Sequence, residues 1–208
     1  MAILNSLTKE LQVKIVYYGP ALCGKTTNLA QVHKHVQTAD GNKGRMISLA
    51  TSSDRTLFFD FFPIEGAKIN GFKTKFQLYT VPGQVIYQST RELVLRGVDG
   101  VVFVADSQYS KSQENVQSFN DLEQNLRKLN LQLGTIPYVL QYNKQDLPNA
   151  ANTEYMEFLL NDREVQVPSF SAAAHRCEGV FETLNMITRL VLNQFLKRRQ
   201  TTLQPTSP

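Results

Sequence analysis

The stretch that most constrains this chain is "GPALCGKTT", Gly19 to Thr27. Gly19, Gly24, Lys25 and Thr26 fit the pattern G-x-x-x-x-G-K-[ST]. Before it, "QVKIVYY" (12–18) alternates and is rich in β-branched and aromatic residues, which predicts a strand. After it, "KTTNLAQVHKHVQ" (25–37) carries Leu29, Val32 and Val36 at helical spacing and predicts a helix. A strand, a glycine-bounded turn and a helix start, in that order, collect backbone N–H groups around one point, and the helix dipole favours negative charge there. The expectation is a phosphate wrapped by Gly19, Ala21, Leu22, Cys23, Gly24, Lys25, Thr26 and Thr27. Lys25 reaches its terminal oxygens and the Thr26 hydroxyl binds Mg²⁺. The bland alternative is a glycine-rich turn before an ordinary helix. The motif specifies a nucleotide. It specifies neither the base nor hydrolysis.

The rest of the chain alternates strands with helices. Strands are predicted at 57–64, broken at Pro63, at 71–81 paired with that predecessor, and at 100–107, 136–146 and 164–172. Residues 81–97 read as a turn then a helix, and further helices are predicted at 112–129, 153–160 and 178–199. Residues 40–44 read as a loop and 50–56 as a polar, mobile one. "GVVFVADS" (100–107) is a continuous apolar run, the mark of a strand buried on both faces. This alternation predicts an α/β fold of three layers, a mostly parallel central sheet flanked by helices, with ligands at the carboxyl ends of the strands. One domain is expected over 1–198, followed by a disordered polar tail over 199–208.

The base is indicated by "NKQD", Asn143 to Asp146, at the end of the strand predicted at 136–146. A carboxylate at Asp146 can accept two hydrogen bonds from the N1–H and N2–H₂ edge of guanine. Adenine lacks that donor pair. The Lys144 stem can cover the flat face of the base. Four residues recur by chance, so the motif draws its force from its place after the phosphate loop. The competing reading is a polar loop at a strand end.

Through "GPALCGKT", "PGQ" and "NKQD" the chain resembles the small Ras-like GTPases over residues 12 to about 198. "KIVYYGP", "RTLFFDFFP", "GFKTKFQLYTVPGQVIY", "LRGVDGVVFVADS" and "QYNKQDLPNA" resemble, within them, the bacterial gliding-motility MglA family. The resemblance implies a P-loop G domain that binds GTP or GDP with Mg²⁺. It places the Mg²⁺-binding switch threonine at Thr56 rather than the nearby Thr51, and an internal arginine finger at Arg55, which read alone is a solvated loop charge. Gln84 would orient the attacking water, and the Gly83 N–H would contact the γ-phosphate. Read alone, Gln84 begins a helix after a Pro-Gly turn. The resemblance also implies a roadblock-fold homodimer as activating partner, a role in cell polarity and motility, and a cytoplasmic protein recruited to a cell pole.

The chain departs from the wider pattern at several points. "TVPG" has Thr80 where most Ras-like proteins carry an Asp that supports Mg²⁺ through water. Asp60 is another candidate for that support, or a solvent-facing strand residue. In "SFSAAAHRCEGV", counting back from "EGV" puts Ala174 at the residue whose N–H meets the guanine O6, with Ser171-Ala172 as the competing alignment. Ala21 stands where glycine is the rule, and its methyl group is expected to spare binding but crowd hydrolysis.

Composition limits the alternatives. The net charge is +4 with dispersed basic residues, so nucleic acid or an anionic surface is allowed but not implied. Lys197-Arg198-Arg199 reads as a solvated helix end. Two cysteines, Cys23 and Cys177, suggest no disulfide framework and fit a reducing cytosol, with Cys23 a small filler in its loop. No signal peptide, membrane span, myristoylation site or prenylation box is expected. Three functions remain: a regulatory GTPase, a GTP-locked scaffold that scarcely hydrolyses because of Ala21 and Thr80, and a P-loop kinase, which "NKQD" disfavours.

Overall fold

The structure is a computed structural model and describes residues 3–5, 7–36, 47–50, 56–69, 71–83 and 88–203. In chain order the elements are β1 (Ile3–Asn5), β2 (Glu10–Tyr18), α1 (Lys25–His35), β3 (Ile47–Ala50), β4 (Thr56–Ile69), β5 (Phe72–Thr80) and α2 (Gln88–Leu95). They continue with β6 (Gly100–Asp106), α3 (Ser112–Lys128), β7 (Tyr138–Asn143), α4 (Thr153–Leu160), β8 (Ser169–Ser171) and α5 (Val180–Leu203). The sheet runs β3-β4-β5-β2-β6-β7-β8, with β1 folded back antiparallel on the start of β2. The pairs β2–β5, β2–β6, β6–β7 and β7–β8 are parallel, while β4 runs antiparallel to both β3 and β5.

Strand alternation sorts the apolar side chains into two cores. Val16 and Tyr18 of β2, with Val101, Phe103 and Ala105 of β6, meet α2, α3 and α4 through Leu95, Phe119, Leu122 and Met156. The opposite residues, Leu11, Val13, Ile15 and Tyr17 with Val102 and Val104, meet α1 and α5 through Leu29, Val32, Leu184 and Ile187. Helices on both faces explain why β6 and β7 are buried at every position. Each large side chain removed from water contributes about 1.5–3 kcal/mol. The fold is thus the expected three-layer G domain.

Four expectations need correction. The strand predicted over 57–64 is not broken at Pro63, because β4 continues to Ile69 and Pro63 pairs with Gln77 of β5. Pro63 lacks a backbone N–H, yet β4 keeps one register with β5 through it, from Phe61 opposite Tyr79 to Ile64 opposite Phe76. The strand predicted over 164–172 shrinks to Ser169–Ser171. Asn161 captures both the N–H and the C=O of Val167 at 3.0 and 2.9 Å, and this takes the backbone out of the sheet. The short strands β1 and β3 were not predicted. Finally, α5 runs to Leu203, past the start of the expected tail at residue 199.

Candidate nucleotide site

The carboxyl ends of β2, β6 and β7 open on the same side of the sheet, and the site lies there. The loop after β2 leads into α1 through Gly24, which takes the left-handed conformation at φ 104°. A Cβ at Gly24 would come 2.2 Å from Asn143 Nδ2, so only glycine fits. No side chain caps α1 and no acidic residue lies in its first turn, so that turn keeps its positive character. Lys25 is buried inside the loop and its Nζ donates to Gly19 O at 2.9 Å and Pro20 O at 2.6 Å. Thr26 is exposed beside it, and Leu22, also exposed, holds a left-handed φ of 62°. Cys23 is fully buried, and burial pushes its thiol up, with the neighbouring Lys25 pulling the other way. A protonated, enclosed thiol is a filler, as expected.

Asn143 binds three segments together. Its Nδ2 donates to Cys23 O at 2.7 Å and its Oδ1 accepts from the Ala174 N–H at 2.8 Å. Lys144 follows with a left-handed φ of 68°, and its Nζ sits 2.5 Å from Asp106 Oδ2. Asp146 is 8% exposed at its side chain, with Oδ2 lying 3.6 Å from His175 Nε2 and 4.0 Å from an Arg176 guanidinium nitrogen. Its Oδ1 is buried with no hydrogen-bond partner among the described residues. Leu22, Gly24, Thr27, Lys144, Asp146 and Ala174 line one cavity of about 260 Å³. A buried acceptor left unmatched costs about 1–3 kcal/mol, which a ligand carrying N–H donors removes.

The structure therefore brings together Gly24, Lys25, Asn143, Lys144, Asp146 and Ala174. Ala174 lines the cavity, although its N–H is used by Asn143, whereas the N–H of Ala172 belongs to the ladder with Tyr142. Gly83 lies against Ala21. Thr80 ends β5 and is fully buried. Thr51, Arg55 and Gln84 lie outside the described residues. Thr56 opens β4 and Asp60 pairs with Ser48, but their side chains also lie outside them. Among the described residues no group of three or more His, Cys, Asp or Glu side chains could hold a metal.

Some neighbours of the site escaped the sequence reading. Asp106 was not singled out. Neither was Gln141, a polar residue in the alternating core pattern of β7. The Gln141 amide meets Asn28 of α1 at 2.8 and 3.0 Å and Thr183 of α5 at 3.0 Å. Its signal was the polar residue on the same strand face as Val139, next to the phosphate loop.

A profile of the ADP-ribosylation factor family matches residues 1–191. The mutual gliding-motility protein MglA of Myxococcus xanthus (strain DK1622) is 51% identical over 197 residues, covering 95% of this chain and 99% of that protein. The Ras and EF-hand domain-containing protein homolog of Mus musculus is 29% identical over 150 residues, covering 72% of this chain and 21% of that protein. Fold, phosphate loop and relatives agree: the chain belongs to the ADP-ribosylation factor family of Ras-like small GTPases.

Proposed function

We propose that this GTPase is a guanine-nucleotide switch in bacterial motility and cell polarity, and that the cavity beside Asp146 takes the base. The observation that carries the base assignment is Asp146, which lines the cavity and whose Oδ1 is buried with no donor among the described residues. Guanine supplies two N–H groups from one edge. The Lys144 stem covers its face, and the turn at Ala174 meets its O6 side. Lys25 and the amides of Leu22, Cys23 and Gly24 hold the phosphates, with Thr26 and Thr27 at the helix start. Thr26 and Thr56 would hold Mg²⁺, which when bound neutralises phosphate charge. Gly83 contacts the γ-phosphate, Gln84 orients water and Arg55 stabilises charge on the transferred group. These roles rest on motif order and on the resemblance to the MglA family. That resemblance, with the likeness to the Myxococcus protein, also supports a roadblock-fold homodimer as activating partner and recruitment to a cell pole. No helix among the described residues is long and apolar enough to cross a membrane.

The test is Asp146→Asn. An amide presents a donor where the carboxylate accepted, so GTP affinity should fall roughly 100-fold or more and xanthosine triphosphate should gain. Unchanged GTP affinity with no gain for the xanthine nucleotide would remove the assignment.

A further inference from the structure

Asp106 ends β6 and is 1% exposed. It is the ladder partner of Asn143, so it lies beside the strand end that carries the base-facing loop. Its backbone is pinned by Asn115 of α3, which accepts its N–H at 2.9 Å and donates to its C=O at 2.7 Å. Its Oδ1 accepts from the Gln108 N–H at 3.1 Å and Gln108 Nε2 at 3.2 Å. Its Oδ2 receives Lys144 Nζ at 2.5 Å. Asp106 does not line the cavity, but Lys144 does.

We infer that Asp106 is a positioning residue that holds Lys144 against the nucleotide base, and so sets how long a nucleotide stays bound. This rests on the reading that the cavity takes guanine. A buried carboxylate needs a cation, and Lys144 supplies one at Oδ2. The requirement works in both directions. Asp106 fixes the ammonium end of a side chain with four rotatable bonds, while the left-handed backbone at Lys144 fixes its root. The stem between them is ordered before any ligand arrives, so binding loses little further freedom. Pre-organisation of this kind shows mainly in the dissociation rate.

The experiment is dissociation of a fluorescent GDP analogue from the full chain, chased with excess GDP, for wild type, Asp106→Asn, Lys144→Met and the double variant. Asn keeps the shape and still accepts from Gln108. Met keeps an apolar stem and removes the charge. Each single change should speed dissociation about tenfold, the scale of one released side chain. The double variant should be no faster than the faster single, because both break one contact. A wild-type rate for Asp106→Asn, or a double variant whose acceleration is the product of the two singles, overturns the inference. If wild type retains no guanine nucleotide at all, the base assignment fails instead. Should Asp106→Asn not fold, as judged by circular dichroism, Lys144→Met decides alone, and a wild-type rate there also overturns the inference.

Discussion

Gly83 and Ala21 meet backbone to backbone. A Cβ on Gly83 would lie 2.4 Å from both the Cα and the N of Ala21, and 2.7 Å from the Pro20 carbonyl carbon. These are backbone atoms that cannot rotate away. Gly83, which precedes the catalytic candidate Gln84 in sequence, therefore rests directly on the phosphate loop, and glycine is required for that closeness.

Gly83→Ala should part the two segments by the width of a methyl group. A displacement of about 1 Å costs about 100-fold in rate. Single-turnover GTP hydrolysis should fall to that degree, while the fold, followed by circular dichroism, stays intact. A variant that hydrolyses at the wild-type rate would show that the contact is absent from the reacting state.

Ala21 is expected to act on the chemical step rather than on binding. In the proposed mechanism Gln84 and Arg55 act at the γ-phosphate, and Ala21 belongs to the loop proposed to hold the phosphates. Ala21→Gly should raise partner-stimulated hydrolysis about tenfold or more, about 1.4 kcal/mol of barrier, with GTP affinity nearly constant. Single-turnover rates with saturating partner decide it. Equal rates would mean that the loop accommodates the methyl group.

The two cysteines should behave differently toward a thiol reagent. Burial pushes the Cys23 thiol up, so little thiolate exists near neutral pH, and the residue is enclosed. Cys177 is partly exposed. Mass spectrometry after alkylation of the native protein should find the label on Cys177 and reach Cys23 only in denaturant. Equal labelling would contradict the burial of the loop.

Gln141→Leu should keep the volume but strip the amide that joins Asn28 and Thr183. The Asn28 side chain would then lose both of its bonds to Gln141 and, among the described residues, keep Gly24 O as a partner. A loss of about 2–4 kcal/mol in urea unfolding is expected, since buried polar groups left unmatched cost about 1–3 kcal/mol each. An unchanged midpoint would show that water replaces the network.

How much was legible depended on sequence distance. The phosphate loop and α4 were readable because their determinants are contiguous: Gly24 and Lys25 are neighbours, and α4 begins and ends where its apolar spacing does. The run through Pro63 was not readable, because it depends on pairing with Gln77 of the following strand. The truncation of β8 depends on one Asn161 side chain competing for backbone. Asp106 and Lys144 stand 38 residues apart, and no local pattern announces that a strand-end carboxylate will choose a lysine beyond the next strand. The order of the motifs predicted where the site would form, but the residues that stiffen it came into view only with the packed sheet.

The Asn28–Gln141–Thr183 cluster has a consequence for the order in which the molecule is made. Asn28 steadies the first turn of the phosphate-loop helix by donating to Gly24 O at 3.0 Å, and its own partner Gln141 is shared with α5. The loop is encoded near the start of the chain, yet its supporting scaffold includes a residue from the closing helix. Such distant contacts form late, after the intervening strands have found their places. During synthesis, a nascent chain that has translated all of "GPALCGKT" still lacks the buttress beneath it until Thr183 emerges. The hydrogen-bonded support of the phosphate-loop helix is therefore complete only once residue 183 has been made.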